Sequence, residues 1–186
     1  MKRLLAVLLC ASLAGCANTP EDPIHIVDEV DLPRYMGDWY VIAHIPTFLE
    51  DEAYNAIESY EMNDDGTIAT TFRFRNGGFD GPLKVYTPTG FVRDDPSNAV
   101  WGMQFLWPFK AEFLIVWLNE GYETTVIGRN ARDYVWIMAR EPRIPDDEYR
   151  RILSFLETEG YDLDELREVP QRWPEPDTGD GDGDGD

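Results

Sequence analysis

The sequence predicts an all-β domain of short antiparallel strands, a barrel or a sandwich, followed by one amphipathic helix. Three observations carry this. From Gly37 to about residue 140, segments rich in Val, Ile, Thr and aromatics alternate with turn signals at intervals of roughly ten residues. After Pro145 the apolar period becomes helical, with Tyr149, Ile152, Leu153 and Leu156 on one stripe and Phe155 beside it. The chain has 186 residues, and without a leader and an acidic tail about 145–155 remain, enough for one domain.

Residues 1–15 read as a secretory signal: Met1-Lys2-Arg3 is charged, an apolar run extends from Leu4 to Ala11, and small residues lead to Cys16. The run is far shorter than the roughly 20 residues that a membrane span needs. Leu13-Ala-Gly-Cys16 resembles the cleavage box of bacterial lipoproteins. That resemblance implies that Cys16 becomes the lipidated first residue, carrying acyl chains such as palmitate, two or more of which hold firmly where one anchors marginally. Some bacterial lipoproteins carry at the next position an Asp that retains them in the inner membrane; Ala17 therefore favours the outer membrane. Residues 16–30 are polar, acidic and Pro-containing, and are expected to form a tether.

The folded domain is expected over 31–173, with strands near 38–46, 55–62, 67–75, 82–93, 98–105, 112–119, 122–128 and 133–140. Asn63-Asp-Asp-Gly66 has the chemistry of a tight hairpin turn, and Asp94-Asp-Pro-Ser-Asn98 marks another. The helix is expected to start at Asp146-Asp147 and end at Gly160. Its stripe needs an apolar surface, which the outward face of the last strand, Val135, Ile137 and Ala139, offers. The stretch 161–173 is expected to cover a remaining sheet edge. Residues 174–186, Pro-Glu-Pro-Asp-Thr and then alternating Gly and Asp, cannot bury a core and are expected to be disordered.

Charge and residue supply exclude several functions. Lys and Arg number 16 against 36 Asp and Glu, a net of −20; without Lys2 and Arg3 of the signal the net is −22. Such a chain is repelled by phosphate backbones, so no nucleic-acid partner is expected. Cys10 leaves with the signal and Cys16 would be acylated, so no thiol remains for a disulfide, a metal or covalent catalysis. His25 falls in the tether, and His44 has outward parity in the first strand and reads as a surface residue. With no His pair at ligand spacing, no G-x-S-x-G elbow and no phosphate-binding Gly loop, zinc, nucleophilic and nucleotide chemistries each lack parts. No metal or other cofactor is called for. The Gly-Asp run at 180–185 imitates the start of a calcium loop but lacks the closing Glu. These features point to binding rather than catalysis.

The segment Val30-Asp-Leu-Pro-Arg-Tyr-Met-Gly-Asp-Trp-Tyr-Val-Ile-Ala43 resembles the G-x-W opening of the lipocalins, and closely that of bacterial members. Arg132-Asp-Tyr-Val-Trp-Ile-Met-Ala-Arg-Glu-Pro142 is similar to their last barrel strand, ending in the family's Arg, and Tyr122-Glu-Thr-Thr-Val-Ile-Gly128 is a weaker third match between the two. The resemblance implies an eight-stranded antiparallel up-and-down barrel with the helix packed outside. It also implies a site for a small hydrophobic ligand, a fatty acid or lysophospholipid, carried or stored at the bacterial envelope by a periplasm-facing protein held to the membrane through its N-terminal lipid.

Counting by twos from Trp39 puts Val41, Ala43 and Ile45 inside the barrel. The resemblance adds Glu58 and Tyr60 of the second strand and Thr70, Phe72 and Phe74 of the third; stepping back from Arg140 gives Met138, Trp136 and Tyr134. A large, apolar, aromatic wall with a few hydroxyls suits an acyl chain. By resemblance, Arg140 stacks on Trp39 at the closed end, a structural cation–π contact of roughly 0.5–2 kcal/mol. The loops 46–54, 75–82, 106–111 and 129–133 would form the mouth. They bring Arg75, Lys110, Arg129 and Arg132 against Glu50, Asp51, Glu52, Asp80 and Asp133, a near-neutral rim where a carboxylate or phosphate head could be held.

Glu58 reads as a buried acid poised for chemistry, as an anchor for a ligand hydroxyl or, with the strand shifted by one residue, as a surface acid. Two rival functions follow. An enzyme acting on a lipid or isoprenoid would need a second interior polar group near Glu58, and a structural envelope protein would have a filled barrel. The oligomeric state is left open, a homodimer included.

Overall fold

The computed structural model describes residues 22–175. The chain enters through a one-turn helix, α1 (Leu32–Tyr35), whose N-terminus is capped by the Asp31 carboxylate accepting from Arg34 N at 3.3 Å. Gly37 follows at φ +94°, a backbone conformation that glycine adopts without strain, and a side chain there would meet the Arg140 guanidinium at 3.4 Å. Strand β1 (Gly37–Ile45) then opens the sheet, and β2 (Ala53–Met62), β3 (Thr67–Asn76), β4 (Leu83–Tyr86), β5 (Thr89–Val92), β6 (Val100–Leu106), β7 (Phe109–Leu118), β8 (Thr124–Gly128) and β9 (Val135–Ala139) follow, all antiparallel. β9 pairs back onto β1, so the sheet closes into a barrel of eight staves, with helix α2 (Asp146–Thr158) outside.

The predicted fourth strand, 82–93, is two strands sharing one stave. Pro88 has no N–H to give to the ladder. Its carbonyl accepts from Thr70 N at 3.2 Å while the chain breaks between β4 and β5. Both segments pair with β3, and β5 pairs onward with β6.

Parity along β1 is the main correction. The β1–β9 register shifts between Val41 and Ala43, a bulge that places one extra residue on one strand and flips every later side chain to the other face. Trp39 and Val41 face the interior as expected, but Ala43 and Ile45 lie outside the barrel. There they form, with Val126, Val135 and Ile137, the apolar bed on which Ile152 and Leu156 of α2 are fully buried. The acidic first turn of α2 suits the positive end of its dipole, and buried Glu148 accepts from Thr124 Oγ1 at 2.8 Å and from Arg151 at 2.6 Å.

Two segments bind the barrel more closely than expected. Residues 22–30, assigned to the tether, pack along it: Ile24 and Val30 are buried, Val27 N donates to Ile115 O at 3.1 Å and Val30 N to Ser97 O at 2.7 Å. After α2, Gly160 turns at φ +90° and the chain returns as β10 (Arg167–Glu168), paired with Ala43 and His44 of β1. It fills the seam where β1 and β2 separate. Pro170 O accepts from Asn55 N, Val169 N donates to Ile42 O at 2.9 Å, and Gln171 Nε2 bridges Val41 O and Ala56 O. Glu175, placed in the tail by the sequence, ion-pairs with Arg75 at 3.1 Å. The leader and Cys16 lie outside the described residues, as does the remainder of the tail.

Candidate functional site

One end of the barrel is plugged by aromatics. Trp39 donates through Nε1 to Tyr35 O at 2.9 Å, and the Tyr35 ring lies 5.0 Å from the Trp39 ring, 5.7 Å from Tyr60 and 5.6 Å from Trp101. Arg140 stacks 3.7 Å over the Trp39 ring, and its terminal nitrogens donate to the carbonyls of Arg34, Tyr35, Met36 and Asp38 at 2.8–3.0 Å. This cation is therefore solvated by the free carbonyls that end α1 and begin β1. Burial lowers its pKa from the usual arginine range, as expected of a cation half withdrawn from water.

Above the plug, toward the other end, is a cavity of about 310 Å³. Its inner wall is Phe72, Met103, Phe113, Trp136 and Glu58, whose Cα pairs with that of Trp39. Thr47, Phe48, Leu49 and Glu50 of the β1–β2 loop, Phe105 of the β6–β7 hairpin, and Arg129 and Tyr134 between β8 and β9 form its mouth. Of the predicted wall, Glu58, Phe72, Tyr134 and Trp136 reach the cavity.

Tyr60, Thr70, Phe74 and Met138 do not line it; they are buried in the core. Tyr35 and Trp101 fill the lower barrel around Tyr60, and Phe74 sits 5.2 Å from Phe72 and 6.2 Å from Tyr86. Tyr35 precedes the first predicted strand and was not expected inside the barrel. Sequence reading also missed Met103, Phe105 and Phe113, which counting by twos from Trp101 and along β7 would have found. The loop residues Thr47 to Glu50 carry no periodic signal.

Two groups are buried against expectation or with a shifted charge. Glu58 is 8 % exposed, so its strand is not displaced outward. Burial, reinforced by the nearby Glu50 carboxylate, pushes its pKa up to about 7. Tyr60, two residues on, tempers this rise, yet its hydroxyl stops short of hydrogen-bond geometry and is buried without a partner. Glu50 is itself buried, accepting from Thr47 N at 2.9 Å and Thr47 Oγ1 at 2.6 Å. His44 is not at the surface: it is 2 % exposed beneath β10, Nδ1 has no partner, and burial, with Arg167 adjacent, lowers its pKa to about 4.

The four predicted rim cations divide. Arg129 lines the cavity, pairs with Asp133 at 3.1 Å and keeps its Nε buried without a partner. Arg75 is held by Glu175, Lys110 Nζ sits 3.2 Å over the Phe91 ring, and Arg132 donates to the carbonyls of Asp22, Asn130 and Glu159. None of those three lines the cavity. Among the described residues no group of three His, Cys, Asp or Glu could hold a metal ion, and no helix is long and apolar enough to cross a membrane.

The fold is shared with solved structures: insecticyanin from the tobacco hornworm Manduca sexta superposes with a TM-score of 0.63 at 13 % identity over 80 % of this chain and 84 % of that one. Lobster apocrustacyanin A1 gives 0.61 at 12 % identity over 76 % and 80 %. By sequence, the chain is 27 % identical to the outer membrane lipoprotein Blc of Citrobacter freundii over 90 % of this chain and 96 % of that protein. It is 26 % identical to Blc of Escherichia coli K12 over 91 % and 98 %, and 26 % identical to temperature-induced lipocalin-1 of Arabidopsis thaliana over 82 % and 86 %. A family profile described as the lipocalin-like domain matches residues 30–171, from the segment just before α1 to the segment that fills the β1–β2 seam, and the chain belongs to that family.

Proposed function

We propose that this protein binds single-chain lipids, fatty acids or lysophospholipids, in its barrel and carries or stores them at the bacterial cell envelope, anchored to the outer membrane through lipid on Cys16. The observation that supports this most is the cavity itself: closed at one end by the Trp39 plug, open at the other, and walled by aromatics already in place. Burying an acyl chain there gains about 0.8 kcal/mol per methylene. Arg129, with an unpartnered buried Nε at the mouth, is suited to the anionic head.

Location is supported by the names of the Blc relatives and by the course of the N-terminus. Asp22 O and Ile24 N are bonded to Arg132 and Asn130 of the β8–β9 loop, so the chain leaves the fold at the mouth. Cys16 lies six residues upstream, which an extended chain spans in about 20 Å. Exposed Phe48, Phe105, Leu106, Trp107 and Phe109 surround the same mouth, an apolar rim fit for a lipid surface.

The test is tryptophan-fluorescence titration of detergent-free protein with dodecanoic acid, lysophosphatidylcholine and a monoglyceride of equal chain length. Saturable binding of the first two, weakened by Arg129→Glu, is expected; absence of binding by every one of the lipids would end this reading. Glu58, with Glu50 and Tyr60 nearby, also meets the condition set for acid–base chemistry on a bound lipid. Chromatographic detection of a product after incubation with the bound lipid would select that second reading, and recovery of unchanged lipid the first.

A further inference from the structure

We infer that the inner end of the cavity recognises a hydroxyl at the far end of the acyl chain, so that the barrel prefers hydroxylated single-chain lipids; this rests on the lipid-binding reading above. A site built for a plain hydrocarbon tail would end in apolar side chains. This one carries a buried carboxyl in its wall, with two buried hydroxyls behind it. Glu58 touches the cavity from the inner face of β2, and Tyr60 and Thr70 lie one step closer to the plug. The register pairs Glu58 with Phe72 and Tyr60 with Thr70. All three polar side chains therefore share the inner face of two adjacent strands, as opposite or diagonal neighbours.

The Thr70 hydroxyl is buried with no hydrogen-bond partner among the described residues, and the buried Tyr60 hydroxyl faces the Glu58 carboxyl just beyond hydrogen-bond geometry. Buried polar groups are otherwise almost always paired, so this cluster is short of a partner, and Glu58 is the member of it that the cavity reaches.

A hydroxyl fits that need better than the alternatives. It donates to the Glu58 carboxylate or accepts from the protonated acid, which a methyl end cannot do. A second carboxylate would be driven against Glu58 and Glu50. With the hydroxyl inward, the lipid head is left at the mouth beside Arg129, so one molecule satisfies both ends of the site. The position of Glu58 near neutrality in its titration, about 7, lets it serve as acceptor or donor to the same group.

The experiment compares dodecanoic acid with 12-hydroxydodecanoic acid by tryptophan fluorescence, which Trp136 in the cavity wall reports, and by calorimetry on the full chain. In an apolar cavity the added hydroxyl weakens binding, because it is stripped of water and finds nothing. Here it is expected to tighten binding by about tenfold or more, the direction of discrimination found where buried polar groups await a partner. Glu58→Leu should reverse the order of the two ligands, and Glu58→Gln should keep the hydroxy acid ahead. Thermal unfolding of each variant confirms that the barrel persists. Equal or weaker binding of the hydroxy acid to the wild type would overturn the inference, as would a preference that survives Glu58→Leu; a water filling the patch gives the first of these results. Failure of both acids to bind would instead remove the lipid-binding reading on which the inference stands.

Discussion

Arg140 does more than stack on Trp39. It gathers the carbonyls of Arg34, Tyr35, Met36 and Asp38, and its Nε reaches Tyr122 O at 3.4 Å, so one side chain ties α1, β1, the β7–β8 turn and β9 together. Trp39→Ala is expected to cost about 3–5 kcal/mol as a large core truncation. Arg140→Ala should cost about 2–4 kcal/mol through lost charge-assisted bonds. The two should be clearly non-additive in chemical denaturation, because they touch; an additive double-mutant cycle would break the closure argument. The stacking partner was legible in the sequence by resemblance. The carbonyls were not, since backbone groups carry no signature of where they point.

At the same scale, Glu58 and His44 oppose each other in pH. Glu58 titrates at about 7 in the fold against 4.5 when free, so the native state holds the proton more tightly and stability falls as pH rises through that window. His44 is lowered from 6.5 to about 4, so the native state binds less proton and stability falls as pH drops through that window. Glu58→Gln should therefore gain stability relative to wild type on going from pH 4.5 to 7.5, by on the order of 2–3 kcal/mol. Parallel pH profiles of wild type and variant in urea denaturation would show that Glu58 is not desolvated.

Among the elements, the bulge in β1 and the returning C-terminal segment depend on each other. β1 holds β2 only through Gly37–Tyr40; beyond that point the gap is occupied by β10 and Gln171. Truncation after Leu166 is expected to expose His44, unpair Asn55 and Ile42, and lose hydrogen-exchange protection along residues 41–45 and 53–56, with α2 remaining protected on its bed of Val126, Val135 and Ile137. Unchanged protection in β1 would mean that the seam is not held by this segment. The edge-covering role of 161–173 was readable, because a sheet edge and a leftover apolar stretch imply each other. The bulge was not, because a strand of Trp, Val, Ala and Ile has the same period with or without one extra residue. The break at Pro88 could have been read directly, since proline interrupts a central ladder.

For the whole molecule, the N-terminus leaving at the mouth makes a prediction about placement. Cys16→Ser should release a folded protein from the envelope into the soluble fraction, while Trp107→Asp with Phe109→Asp should leave it anchored but reduce vesicle binding of the unlipidated form. Sedimentation with phosphatidylglycerol–phosphatidylethanolamine vesicles reads both, and an unlipidated domain that ignores vesicles whatever its hairpin carries would separate the anchor from the rim. What the sequence by itself determined is the all-β class, the helix and, through the family's signature residues, the closing pair Trp39 and Arg140, because periodicity, composition and signature residues are local properties of the chain. The extent of the cavity, the burial of His44, the buried hydroxyls beside Glu58 and the division of the rim cations were decided only by tertiary structure. Each depends on which side chains meet across the barrel, and a single bulge or one ring from α1 changes that without altering the pattern along the strand.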